Sequence, residues 1–294
     1  MNQFMEDVFN QAHHAEKALD YYLSSGFSDT LDKIAKSVYS RITFTGMGSS
    51  HYACIGASLF LNENKIDSMV ISTGQLLYYG FNLIDEKTLL IIVSQSGESA
   101  EIINLINKLK NKDNVIGITN NPEGSLAKNV GLCLNLNVEN EVTVSTRTYT
   151  ATLIVTNLLA RYIADRNREK YEQDFKDAIA SLDDFIERYK HRLDDLSTFL
   201  KDVKFITCMG RGPSYGSALA GGLFLKEASK FPSEGTDAAE FRHGPIEVVG
   251  EGFGAVVFAQ EGRTSGLCIR IAEDIAAKGR SEEHTSELQS HLNL

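Results

Sequence analysis

Leu89-Leu90-Ile91-Ile92-Val93, followed at once by Ser94-Gln95-Ser96-Gly97-Glu98-Ser99, is the passage on which the fold turns. Five consecutive apolar residues predict a strand buried on both faces, the mark of a parallel sheet with helices on either side. The serines and glycine that end it predict a strand-to-helix turn, with a helix starting near Glu98. Shorter apolar runs recur at βαβ spacing: Ile42-Thr43-Phe44-Thr45, Ser68-Met69-Val70-Ile71, Val115-Ile116-Gly117-Ile118 and Leu132-Cys133-Leu134. Five such strands predict an α/β fold with a doubly wound parallel sheet. A polar, helix-forming segment at residues 1–40 precedes them. A helix-periodic stretch from about Thr148 to Phe199 follows, with Phe175, Ile179, Leu182, Phe185 and Ile186 on one face.

The pattern then starts again. A shift of 164 residues places Ile42 on Ile206, Gly46 on Gly210, Gly48 on Gly212, Ser50 on Ser214 and Leu59-Phe60-Leu61 on Leu223-Phe224-Leu225. A shift of 165 places Val93 to Ser99 on Phe258 to Thr264. The chain therefore reads as two tandem copies of one domain: a first at 41–165, a helical connector at 166–202, and a second at 203–279. An equal second copy would run to about residue 329, so the second is expected to be truncated, with Ala255-Val256-Val257-Phe258 at an open edge. From Arg280 to His291 the residues match the reading frame of a sequencing adapter, and 280–294 are expected to be non-native.

Composition narrows the function. Across 294 residues, 29 lysines and arginines face 39 acids, for a net charge of −10. That excludes a broad electrostatic footprint for nucleic acid or anionic lipid. No apolar run reaches membrane-span length, the start is not that of a secretory signal, and the four cysteines are far apart with no metal-ligand spacing. The expectation is a cytoplasmic protein with reduced thiols, no metal and no membrane contact.

Ligands of doubly wound sheets bind at the carboxyl ends of the strands. Ser94, Gln95, Ser96 and Ser99 offer hydroxyls and an amide there, Gly97 allows close backbone approach, and the helix start adds N–H groups. Together they form a candidate phosphate site that needs no lysine. A plain serine cap with polar neighbours is the simpler alternative. Gly46-Met47-Gly48-Ser49-Ser50-His51 opens the first helix but has neither the third glycine of a dinucleotide fingerprint nor the lysine of a P-loop, so no nucleotide cofactor is expected. The second copy has Ala259 and Glu261 where the first has Ser94 and Ser96, and the carboxylate disfavours phosphate there. It instead carries Glu227, in Leu225-Lys226-Glu227, and His243, in Phe241-Arg242-His243-Gly244-Pro245. A carboxylate and an imidazole are suited to moving protons on a sugar, though each alone also reads as a surface or turn residue.

These pieces together resemble the sugar isomerase (SIS) family in its double-domain form: the isomerase half of glutamine–fructose-6-phosphate aminotransferase, fructosamine-6-phosphate deglycases and aminosugar-phosphate isomerases. The resemblance covers about Arg41 to Ala277. It rests on Ser94 to Ser99, Ser145-Thr146-Arg147, Gly210-Arg211-Gly212, Lys226-Glu227 and His243-Gly244-Pro245. It implies two flavodoxin-like domains, a sugar 6-phosphate substrate, no cofactor, and a homodimer with shared active sites. Ser94, Gln95, Ser96 and Ser99 match the positions that hold the phosphate, and Ser50 and Ser145 match positions near the sugar. Glu227 matches the carboxylate that shuttles a proton between C1 and C2. His243 matches the ring-opening or general-acid histidine supplied by the neighbouring subunit. The sequence departs from the aminotransferase in having no glutaminase half and no cysteine next to its first methionine, and the aminotransferase's C-terminal lysine would fall in the missing segment. The readings are a deglycase, an isomerase/deaminase, an isomerase subunit or a non-catalytic sugar sensor.

Overall fold

The structure, a computed structural model, describes residues 3–24, 39–139, 141, 144–165 and 168–278. The expectations for 25–38 and 280–294 lie outside the described residues. Two compact units divide between Asp183 and Asp184.

The first unit holds five parallel strands: β1 (Arg41–Gly46), β2 (Ser68–Ser72), β3 (Thr88–Val93), β4 (Val115–Thr119) and β5 (Leu132–Asn135). They lie in the order β2-β1-β3-β4-β5. Every residue of β3 is buried, because the strand is flanked by β1 and β4 and covered on both faces. Its side chains alternate accordingly. Leu89, Ile91 and Val93 enter one core with Phe44, Leu61, Ile116 and Leu159, while Leu90 and Ile92 enter the other with Leu76, Ile102 and Leu105.

The first core is covered by α2 (Gln11–Ser24), which follows the short α1 (Gln3–Phe9), by α3 (Cys54–Glu63) and, beyond β5, by α5 (Arg147–Ala164). The second is covered by α4 (Ala100–Lys108), whose Ile102, Leu105 and Ile106 recur at helical spacing and are buried. Each such side chain contributes about 1.5–3 kcal/mol by leaving water. The long helix α6 (Arg168–Tyr189) carries Phe175 and Ile179 into the first core, so its first half packs as part of the first unit.

The second unit repeats the plan with β6 (Phe205–Gly210), β7 (Ser233–Asp237) and β8 (Phe253–Val257), parallel and ordered β7-β6-β8. This is the β2-β1-β3 arrangement of the first unit. Helices α7 (Leu193–Leu200), α8 (Pro213–Ser229) and α9 (Ser265–Ala277) accompany it. The sequence of β7, Ser-Glu-Gly-Thr-Asp, carries no strand signal. It pairs because Gly235 lets α8 lie on the backbone: a Cβ there would stand 2.3 Å from the Ala218 carbonyl oxygen. Among the described residues, no helix is long and apolar enough to cross a membrane.

The amino-terminal helices are held to α5 by a buried ionic group. Arg147 donates to Asp7 at 3.0 Å, and both side chains are almost fully buried. Arg147 Nη1 also lies 3.0 Å from His14 Nε2. A guanidinium can only donate, so Nε2 accepts and the ring is neutral. Burial, then the charge of Arg147, holds the His14 pKa below its ordinary 6.5. A depressed histidine pKa contributes stability that is complete above about 6.5 and is lost as pH falls through the folded-state value. Thermal unfolding from pH 7.5 to 5 is expected to show the melting temperature dropping on the acid side. In His14→Gln, which keeps an acceptor without titrating, the drop should shrink; an identical acid slope would refute the contact's role.

Candidate active site

The order β2-β1-β3 reverses direction between β1 and β3, and at such a point the loops leaving the two strands diverge around a crevice. Gly46 ends β1 opposite Val93, the last residue of β3. A Cβ on Gly46 would stand 2.8 Å from the Val93 carbonyl oxygen, so glycine is what lets the two strand ends meet. The Ser49–Tyr52 turn leaves from one strand and the serine loop from the other.

In the serine loop, buried Ser94 accepts the Gly97 N–H at 3.2 Å, and exposed Ser96 accepts the Glu98 N–H at 3.2 Å. A hydroxyl that accepts from the backbone keeps its own proton to donate, and donated protons are what a phosphate oxygen takes. Helix α4 begins at Ala100, two residues later than the serine pattern predicts. Ser99 is its N-cap and makes no side-chain capping bond. Its first N–H groups therefore lack intrahelical acceptors, which favours an anion beside them.

The loop is braced from β4. The Gln95 carbonyl receives the Asn120 N–H at 2.9 Å and the Thr119 hydroxyl at 3.0 Å, and the Ser96 carbonyl receives the Asn121 amide at 3.1 Å. Gly97 has φ +67°, and a Cβ on it would come within 3.1 Å of both Leu126 and Thr119. The residue is thus needed for the turn and for packing on the β4 loop. Glu98 turns to Ser125, accepting its N–H at 2.5 Å and its hydroxyl at 2.9 Å. Those two bonds hold the carboxyl below the usual range, so it is ionised and committed to that contact.

Ser50 is half-buried, and its hydroxyl has no hydrogen bond among the described residues. Its repeat partner Ser214 is buried and donates to the Arg211 carbonyl at 3.0 Å. The backbones before them agree: Gly48 has φ 53° and ψ −132°, Gly212 φ 60° and ψ −131°. Ser145 shares a 2.6 Å hydrogen bond with Thr148 just ahead of α5, and α5 packs against the Ser49–Tyr52 turn. The serine loop and the turn that carries Ser50 thus leave the same end of the first sheet, and the helix that follows Ser145 packs against that turn. Sequence reasoning missed Glu141, which accepts the N–H groups of Thr146 (2.7 Å), Arg147 (2.5 Å) and Thr148 (3.2 Å) and so caps α5. Its place before a Ser-Thr-Arg-Thr run was the available signal.

Glu227 and His243 lie in the second unit and do not come together there. Glu227 is exposed in the last turn of α8, about 20 Å along the helix from its start beyond β6. It therefore sits toward the amino ends of the strands. His243 is exposed past the carboxyl end of β7, closing a short 3-10 turn at Glu240–Arg242. Arg242 ties that turn to α9 through Asp274, at 2.8 and 2.6 Å.

A family model for the SIS domain matches residues 34–162 and 199–279. The isomerizing glutamine–fructose-6-phosphate aminotransferase of Thermococcus kodakarensis is 29% identical over 286 residues, spanning 94% of this chain and 47% of that protein. The Pyrococcus horikoshii protein of the same name is 31% identical over 248 residues, spanning 82% and 41%. The chain thus spans about half the length of the curated relatives it matches. Among solved structures, the C-terminal domain of glucosamine-fructose-6-phosphate aminotransferase from Francisella tularensis matches with a TM-score of 0.80 at 21% identity, over 94% of this chain and 81% of that one. Glucosamine-6-phosphate deaminase from Thermotoga maritima matches with a TM-score of 0.74 at 22% identity, over 95% and 83%. At such identity the likeness bears on the fold.

Gly97→Ala forces a side chain into a left-handed turn and against Leu126. It is expected to cost stability by about 1–3 kcal/mol and to weaken phosphate binding. Denaturant unfolding together with phosphate titration checks both, and unchanged phosphate affinity in a folded variant would contradict the loop geometry.

Proposed function

The chain belongs to the SIS domain family, and from that premise we propose that it acts on a ketose or amino-sugar 6-phosphate by moving a proton between C1 and C2. The observation that carries the reading is the serine loop. Ser94 and Ser96 are locked by backbone donors so that their own protons are free to give, beside the uncapped start of α4. Ser94, Gln95, Ser96 and Ser99 hold the phosphate; Ser50 and Ser145 contact the sugar. No cofactor is required, because the chemistry is proton transfer next to a carbonyl or imine.

Glu227 takes the proton from one of the two carbons and returns it to the other, through an enediol or enaminol. His243 of the partner subunit opens the ring and supplies or removes the oxygen-bound proton. The separation of Glu227 from His243 within one unit supports a homodimer whose sites are shared. In a fructosamine 6-phosphate, moving the proton from C1 to C2 produces an imine at C1, and water then releases the amine and an aldose phosphate. With an amino-sugar phosphate the proton moves the other way, from C2 to C1, which leaves an imine at C2 that water hydrolyses to a ketose phosphate and ammonia. Setting for either reaction is the cytoplasm, where sugar phosphates and unpaired cysteines coexist. The names of the curated relatives favour a second reading, in which the ketose is fructose 6-phosphate and the product an amino-sugar phosphate.

Assay of the purified chain against a panel of fructosamine 6-phosphates, and against fructose 6-phosphate with ammonia, separates these readings; turnover of none of them, with binding retained, would leave a sugar sensor. Glu227→Gln is expected to lower kcat by about 10²–10⁴ with sugar-phosphate binding kept, and near-normal kcat would refute its role. Ser96→Ala should raise KM by about tenfold or more while changing kcat little. An unchanged KM for the phosphorylated substrate would count against the phosphate site.

A further inference from the structure

One side chain at the β1–β3 junction has no part in the scheme above. His51 follows Ser50, and its main-chain nitrogen lies 3.1 Å from where a Gly46 Cβ would stand, the same point that lies 2.8 Å from the Val93 carbonyl oxygen. Its backbone is thus rooted where the carboxyl ends of the two central strands meet, at the reversal of strand order. The ring is half-buried and edge-on to Tyr52, with centroids 5.8 Å apart. Its Nδ1 is buried and has no hydrogen-bond partner among the described residues. Burial alone lowers the imidazole pKa, so the ring is neutral at pH 7 and offers one donor and one acceptor.

Buried polar atoms in folded proteins nearly always have partners, and an unpartnered one on a residue rooted at the reversal of strand order calls for a partner that ligand binding can bring. The repeat sharpens the case. Tyr215 stands at the matching position of the second copy, beside a serine already bonded to its own loop. The imidazole thus occurs in the copy that carries the serine loop and the unbonded Ser50. A neutral ring also suits a polyol, since it can give or accept a hydrogen bond without adding a charge that would compete for the phosphate.

We propose that His51 is a specificity-determining residue that hydrogen-bonds a hydroxyl of the bound sugar phosphate, reading the carbon chain while the serine loop holds the phosphate. The inference rests on the sugar-phosphate reading of the site. Its test is calorimetric titration of the full chain and its His51→Phe and His51→Asn variants with fructose 6-phosphate, glucosamine 6-phosphate and inorganic phosphate. Phenylalanine keeps a ring without polar atoms, and asparagine places an amide near the Nδ1 position. His51→Phe should weaken sugar-phosphate binding by about tenfold or more, and His51→Asn by less than about threefold, with inorganic phosphate unchanged in both.

A panel of monodeoxy fructose 6-phosphates gives a second measurement that needs only the wild-type and asparagine proteins, should the phenylalanine variant fail to fold. One analogue should bind the wild-type chain about tenfold more weakly than the parent sugar, and asparagine should preserve that discrimination. Equal sugar-phosphate affinity in wild type and His51→Phe would overturn the role of His51 and leave the sugar-phosphate reading standing, as would a deoxy panel bound uniformly. Parallel losses for sugar phosphate and inorganic phosphate would also overturn it, because a structural residue would affect both. A wild-type chain that binds neither sugar phosphate overturns the underlying reading, and this inference with it.

Discussion

Strand β3 has no face to water, and the rest of the first unit follows from that. All six residues from Thr88 to Val93 are buried, with main-chain bonds to β1 on one side and β4 on the other. A strand in that position needs apolar cover above and below, and parallel neighbours supply it because each crossover lays a helix on one face. Once β3 is central, its carboxyl end must open beside that of β1, and the two following loops become neighbours. The glycine at the end of β1 completes the junction, since a side chain there would strike the Val93 carbonyl.

Under the proposed function, that junction also resolves an electrostatic problem. A chain with a net charge of −10 repels anions at long range, so a phosphate must be held by short-range, directional donors. The serine loop provides them in a fixed arrangement, with its carbonyls tied to Thr119, Asn120 and Asn121. Fixing donors in advance lowers the ordering cost of binding, which flexible lysines would incur. The helix starts are not equivalent in this respect. At α5 a protein carboxylate, Glu141, already occupies the N–H groups, whereas at α4 Ser99 forms no capping bond.

The internal repeat shows how one backbone plan can serve two purposes. The turns at Gly48 and Gly212 agree in φ and ψ to within 7°. Their surroundings differ: Ser214 is buried and bonded locally, while Ser50 is half-buried without a bond to its hydroxyl. After β8, Ala259 and Glu261 replace two serines, and the loop glycine moves from φ +67° at Gly97 to φ +134° at Gly262. The strand order and the turn after the first strand are kept in both units, while the loop after the third strand differs in residues and in backbone.

Much of this was legible in the amino-acid order. Apolar runs located β1 to β5, most plainly β3, whose burial on both faces leaves little room for polar residues, and the repeat located β6 and β8. The serine loop was legible because serine and glycine have few reasons to cluster after a buried strand. Other features carried no local signal. The polar residues of β7 form a strand through the close approach of α8, and the first half of α6 belongs with the first unit through Phe175 and Ile179. Asp7, His14 and Arg147 meet across more than 130 positions of sequence, and Glu141 acts as a cap only because the chain folds back on α5. The sequence by itself therefore determined the parallel sheet, its repetition and the chemistry of one loop, all of which follow from periodicity and residue type. The tertiary structure decided which side chains are spent on the protein and which remain unbonded, because hydrogen-bond partners are chosen by distance in space.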